Sequence, residues 1–528
     1  MTSPIFLFLF FFYVVLIFGF AGGGGGGRNR RTFGFEFHNR YSDSGRRWWA
    51  ERSGGDDLPE KGTVEYYAHL TIRDRLFRGR WLSDADPTVT FAEGNETVYI
   101  NNLGFLHYAM VTLGMPNSTF LVALDTGSDL FWVPCDCQQC APMLFNGDGY
   151  EFGMYSPNAS LTSKKVSCSS SFCDLQRKCS GAAAVCPYEV AYVSTDTSSS
   201  GVLVEDVLHL MTEDTHPEVV DARIIFGCGQ VQTGSFLDAA APNGLFGLGM
   251  SKMSVPSILA SGGIISDSFS MCFGKDGVGR ISFGDKGSSD QGETPFNIDQ
   301  LHPSYNVSVT EMRVGKTSIG ANFDALIDTG TSFTSLADPA YSLLTEGFNS
   351  LARDERYMSD SKVPFDYCYL LSANKTASTP RISLSMKGGD EFPVSGAVLF
   401  IPAHAGIIYC LGVVKSPNLN IIGQNFMTGL RIVFDRDRLI LGWKKFNCYD
   451  VEDSSTLPIN PRNSSAPPVS SVGPHNYTTQ ATKSTRNHTQ VSVLPSENHA
   501  PHQHSSFMST HLIVFLLFFT SLKAFFSG

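Results

Sequence analysis

Residues 121–135 read LVALDTGSDLFWVPC, an apolar run from Leu121 to Leu124 that ends in one carboxylate, Asp125, followed at once by Thr126 and Gly127. Four apolar residues in a row describe a strand buried on both faces. A carboxylate at the end of such a strand must be hydrogen-bonded or have a shifted pKa, because an isolated buried charge is too costly. Asp, Thr and Gly are also ordinary turn residues, so this stretch alone allows a plain strand-ending turn. A second copy decides the matter: ALIDTGTSFTSL at 325–336 puts Asp328 in the same place, 203 positions further on.

The copies share their flanks as well. Each has an apolar run, Asp-Thr-Gly, a hydroxyl residue (Ser128, Thr331) and apolar residues again, and each is followed by two apolar residues and a glycine. These are Leu245, Phe246 and Gly247 in the first half, Ile421, Ile422 and Gly423 in the second, 122 and 95 residues after the respective aspartates. The chain is thus expected to hold two lobes built to one plan. A pseudo-dyad would bring Asp125 and Asp328 together in the cleft between them. Like charges that close cannot both ionise cheaply, so the pair shares one proton near its working pH. Such a pair can do acid and base chemistry at once, with no metal, cofactor or covalent intermediate. Gly127 and Gly330 let backbone approach the carboxylates, and the hydroxyls of Thr126, Ser128, Thr329 and Thr331 can orient them.

The rest of the 528 residues fits a globular protein with appendages. Residues 91–450 carry 23 basic and 37 acidic side chains, a balance of −14, which argues against nucleic acid as a partner and suits an acidic medium. From Val98 to Cys448 short β-branched and aromatic runs alternate with Gly, Ser, Asn and Pro, the pattern of a mostly β protein. The best helical stretch follows Leu336, with Asp338 expected as its cap. Residues 1–22 read as a secretion signal, with a signal anchor held by the following Arg-rich RNRR as the alternative. Residues 23–90, basic and glycine-interrupted, are expected to be a prosegment, removed or loosely held. The N-terminal lobe with Asp125 is expected over 91–300 and the C-terminal lobe with Asp328 over 301–450.

Residues 451–505 are Ser/Thr/Pro-rich and read as a disordered stalk. Residues 506–528 are an apolar tail, a poor membrane span but a good fit to a segment exchanged for a glycolipid (GPI) anchor. All 12 cysteines lie between Cys135 and Cys448, which behind a secretion signal reads as up to six disulfides. CDCQQC at 135–140 allows a metal-site reading, but no histidine stands at ligand spacing and no metal is expected. Sequons at Asn95, Asn117, Asn158, Asn306, Asn374, Asn463, Asn476 and Asn487 point to the same compartment.

Together the two Asp-Thr-Gly motifs, the two apolar-apolar-glycine elements and FDRDRLILGW at 434–443 resemble the pepsin-like aspartic proteases over residues 98–448. The resemblance implies an all-β, bilobal fold with an active-site cleft, a polypeptide substrate bound extended across it, and Thr126 and Thr329 bracing the aspartates. It implies a hairpin flap carrying Tyr192, with Trp132 as its hydrogen-bonding partner; a strand aromatic that merely packs is the plain alternative for Tyr192. The cysteine pattern is similar to the plant nepenthesin-like branch, closest to glycolipid-anchored members, and Cys368 and Cys410 match a second-lobe disulfide there. VSTDTSSSG after Tyr192 departs from the usual tight turn and implies a longer flap tip. The expected activity is that of an aspartic-type endopeptidase with an acidic optimum, a monomer on the extracellular face of the plasma membrane. The alternative is an extracellular pepsin-fold binding or inhibitor protein, although both Asp-Thr-Gly motifs are intact.

Overall fold

The computed structural model describes residues 31–47, 58–78, 88–90, 97–99, 105–141, 153–181, 184–192, 197–213, 216–237, 240–241, 243–299, 303–358, 363–371 and 379–448. The expected signal, stalk and anchor segments, the flap tip at 193–196, and Asn95, Asn374, Asn463, Asn476 and Asn487 lie outside them.

The fold is mostly β and bilobal, as the alternation of short apolar runs and turn residues predicts. Among the described residues a 14-stranded and a 7-stranded sheet carry most of it. In the first half, the strand Ser118–Asp125 lies parallel to Leu245–Gly247, with Asp125 opposite Gly247. Leu245 in turn pairs antiparallel with Trp132, the first residue of the strand after the Asp125 turn. The second half repeats this layout. Thr317–Ile327 lies parallel to Ile421–Ile422, and Ile421 pairs antiparallel with Ser335 of Thr334–Leu336. Threading one strand through each aspartate loop needs close backbone approach: a Cβ at Gly247 would lie 2.2 Å from the Asp129 carbonyl oxygen, and one at Gly423 2.7 Å from the Phe333 carbonyl carbon.

The halves also share one sheet. Strands Ser268–Phe273 and Val278–Phe283 pair on one side with Leu430–Asp435 and on the other with the amino segment. Here the structure corrects the sequence reading, because the described part of residues 23–90 is not loosely held. Phe33–Asn39 is an interior strand, paired antiparallel with Val278–Phe283 on one edge and His107–Leu113 on the other. Phe33 and Phe37 are buried in the core. Val64–Arg78 then forms a helix, started by Thr63, whose Oγ1 accepts the Tyr66 N–H at 3.2 Å, with Glu65 at the positive end of the helix dipole.

All 12 cysteines pair: Cys135–Cys228, Cys137–Cys140, Cys168–Cys179, Cys173–Cys186, Cys272–Cys448 and Cys368–Cys410. The sulfurs of Cys168, Cys173 and Cys179 lie within 4.8 Å of one another, but each is already bonded in a disulfide. The predicted helix after Leu336 spans Ala340–Leu351, shorter than the sequence pattern, with Pro339 as its cap and Asp338 accepting from Ser342 N at 3.2 Å. Of the sequons, Asn117 and Asn158 are exposed in turns, whereas Asn306 is half-buried at the start of the strand Asn306–Val314.

Candidate active site

Asp125 ends its strand, so its backbone leaves the sheet where the side chain faces the cleft. Its Oδ1 accepts the Gly127 N–H at 2.9 Å, and Asp328 Oδ1 accepts the Gly330 N–H at 2.8 Å. The two loops touch: Thr126 Oγ1 lies 3.3 Å from Thr329 Oγ1 and accepts the Thr329 N–H at 3.5 Å, both threonines being buried. Asp125 and Asp328 line one cleft of about 610 Å³, together with Thr126, Gly127, Ser128, Gly330 and Thr331. The sequence-derived residues are therefore brought together.

Their surroundings differ. Asp328 Oδ2 also accepts the Thr331 hydroxyl at 2.6 Å, so both its oxygens are held. Burial in the cleft pushes the Asp125 carboxyl up to about 6; the neighbouring Ser128 hydroxyl opposes this, and the Asp328 charge adds to it. Asp129, next in line, accepts the Ser251 N–H at 2.9 Å, which ties the first loop to the strand-following turn.

Trp132 Nε1 donates to the Tyr192 hydroxyl at 2.7 Å. Phe236 packs edge-on against both rings, with centroids 4.9 and 5.0 Å away, and Tyr192 and Phe236 line the cleft while Trp132 is buried behind them. Phe236 had no signal in the sequence beyond being aromatic. Cys368 and Cys410 sit opposite each other on paired strands and are bonded.

Two further residues, Arg73 and Asp74 of the amino-segment helix, were missed. Both are almost fully buried, at 1% and 3% exposure, and both reach the loop after Asp328. Arg73 donates to the Gly330 carbonyl at 2.9 Å and to Asp74 at 2.9 Å. Asp74 accepts from Ser332 N, Ser332 Oγ and Phe333 N. His107, buried beside Arg73, hydrogen-bonds the Thr329 backbone, and burial with the nearby guanidinium pulls its pKa down to about 3.

A family profile described as xylanase inhibitor N-terminal matches residues 107–285, and one described as xylanase inhibitor C-terminal matches 304–445. Aspartyl protease family protein 1 of Arabidopsis thaliana is 55% identical over 449 residues, covering 84% of this chain and 87% of its own. The chain belongs to the plant pepsin-like aspartic proteases. A second member of this aspartic protease family, aspartic proteinase-like protein 1 of the same plant, is 38% identical over 78% of this chain and 80% of its own. Among solved structures, basic 7S globulin from soybean matches with a TM-score of 0.51 and 25% identity, over 65% of this chain and 92% of that one. Conglutin gamma from lupine seeds, at a TM-score of 0.51 and 20% identity over 64% of this chain and 91% of its own, shares the fold.

Proposed function

We propose that this family member is an aspartic-type endopeptidase with an acidic optimum, whose amino segment keeps it latent. The observation that supports it best is the Thr126–Thr329 contact at 3.3 Å, which ties the two aspartate loops together at the base of one cleft. The doubly held Asp328 is suited to carry the charge, and the raised carboxyl of Asp125 to carry the proton. Asp328 takes a proton from a water as its oxygen attacks the peptide carbonyl carbon. Asp125 hydrogen-bonds the carbonyl oxygen as it gains charge. Collapse of the tetrahedral species then breaks the C–N bond as the departing nitrogen takes the proton that Asp328 gained from the water, which returns Asp328 to its charged form.

Latency is supported by Arg73 and Asp74, buried against the loop that carries Asp328. Digestion of a peptide library by the acid-treated chain, with and without pepstatin, tests the activity: pepstatin-sensitive cleavage is expected, and its loss in Asp328→Asn. The second reading, an extracellular binding or inhibitor protein, is favoured by the xylanase-inhibitor profiles. A binding protein would keep its partner in Asp328→Asn.

The same proposal places the chain in the secretory pathway as a glycosylated protein held at the outer leaflet by a lipid. Release by a phosphatidylinositol-specific lipase is the expected result, and a membrane fraction unmoved by that enzyme contradicts it.

A further inference from the structure

The hairpin that carries Tyr192 returns through a run of hydroxyls, Thr197, Ser198, Ser199 and Ser200, which in the sequence looks like a solvated turn. In the structure Thr197 and Ser199 are buried, at 3% and 0% exposure. Each of the first three hydroxyls meets another hydroxyl. Thr197 Oγ1 lies 3.0 Å from Ser235 Oγ and accepts the Ser235 N–H at 3.1 Å. Ser198 Oγ lies 2.8 Å from Thr233 Oγ1, and Ser199 Oγ lies 2.8 Å from the Tyr188 hydroxyl. The last pair has room because residue 229 is glycine: a Cβ there would lie 3.0 Å from the Tyr188 hydroxyl and 3.1 Å from Ser199 Oγ.

Two of the partners, Thr233 and Ser235, flank Gly234, which turns the chain with a φ of +56° after the strand Val219–Gln232. Phe236 comes next and packs on the Tyr192 ring at 5.0 Å. The contacts close into a circuit. The Tyr192 N–H donates to the Thr197 carbonyl at 2.9 Å, Thr197 Oγ1 holds Ser235, and the neighbour of Ser235 packs back on Tyr192. Beside it, the Thr233 N–H donates to the Ser198 carbonyl at 3.0 Å. A bond between two neutral hydroxyls shifts an equilibrium by about tenfold at most. Ties of that strength suit a hairpin that must lift to admit a peptide and settle again to cover it, because they bias it without locking it.

We propose that Thr197, Ser198, Thr233 and Ser235 are positioning residues, whose hydroxyl pairs hold the Tyr192 hairpin down over the cleft before a substrate arrives, so that less binding energy goes into ordering it. The inference rests on the endopeptidase reading above. Thr197 and Ser235 also line the cleft, where a peptide can touch them, but the described lining does not include Ser198 or Thr233. The second pair therefore separates latching from substrate contact.

The test compares the acid-treated full chain with two variants: Thr197→Val, which keeps the shape and removes the hydroxyl, and Ser198→Ala combined with Thr233→Val. Both should raise KM for a fluorogenic peptide and Ki for pepstatin by about three- to tenfold, the worth of one hydrogen bond, while kcat stays within about twofold. Thr197→Ser, which returns a hydroxyl, should restore the parent KM. An unchanged KM in both variants overturns the latch. So does a kcat that falls at constant KM, since the hydroxyls would then act in the transition state and not in ordering the free hairpin. A KM that rises in Thr197→Val alone also overturns it, because the loss is then a substrate contact. Hydrogen exchange in the free chain needs no catalysis: amides across residues 187–201 should exchange about three- to tenfold faster in both variants, with the strand Ser268–Phe273 unchanged. If no peptide is cut at any pH, the endopeptidase reading fails and exchange alone decides the latch, which equal rates in parent and variants overturn.

Discussion

The loops after Asp125 and Asp328 have the same backbone plan and different surroundings. In both, the glycine N–H reaches the aspartate Oδ1, at 2.9 and 2.8 Å, and an apolar-apolar-glycine strand runs alongside. The Asp125 loop faces the flap side, with Trp132, Tyr192 and Phe236 around it. The Asp328 loop gains a hydroxyl from Thr331 and is capped by Arg73 and Asp74. The two equivalent carboxylates thus differ both through a hydroxyl within one loop, Thr331, and through what packs on the loops.

The largest expected effect is loss of either carboxylate. Asp125→Asn and Asp328→Asn should each lower kcat/KM on the order of 10²–10⁴-fold or more, as for loss of an acid or base. A far-UV spectrum and melting point like those of the parent would show that the fold survives. Next comes pH. With the Asp125 carboxyl at about 6, its proton is present below that value and lost above it, so activity should fall as pH rises through about 6. A rate profile flat from pH 5 to about 8 would contradict the assignment of the proton to Asp125.

The cap offers a third test. Arg73→Ala combined with Asp74→Ala should raise the initial rate of the uncut chain about tenfold, since each removes a buried hydrogen-bonded contact with the second loop. Acid should weaken the same cap. His69 meets the Tyr41 hydroxyl at 2.5 Å, and burial with Arg40 and Arg73 nearby lowers its pKa from 6.5 to about 4. The undocked segment therefore binds a proton more readily than the docked one, and docking loses stability as pH falls from about 6.5 towards 4. Protease nicking between residues 58 and 78, followed against pH, should accelerate over that window. The smallest effect is on the other loop: Trp132→Phe removes the donor to Tyr192 and should cost a few-fold in kcat/KM, about 1 kcal/mol for one hydrogen bond.

Much of the site was legible because its parts are local. Asp-Thr-Gly, its hydroxyl neighbour and the later glycine each announce a tight turn or close approach within a few residues, and repetition made the pairing plain. The amino segment was harder to read. Phe33, Phe35 and Phe37 alternate as a strand does, but they follow a glycine run and pair with Val278–Phe283 some 245 positions away, a partner that no local pattern reveals. The stretch TIRDRLF reads as a solvated charged helix face, yet Arg73 and Asp74 are buried because their partners, Gly330 O and the Ser332 and Phe333 amides, come from the far half of the chain. Five of the six disulfide pairings were likewise not legible, since twelve cysteines permit many connectivities.

The Cys272–Cys448 bond joins the end of the last strand region to the interior strand Ser268–Phe273, across 176 positions. A pull on whatever follows Cys448 is therefore delivered to the middle of the shared sheet, and cannot peel Ile440–Lys445 away pair by pair from its free end. The molecule can bear load at its trailing end without its cleft being the first thing to open.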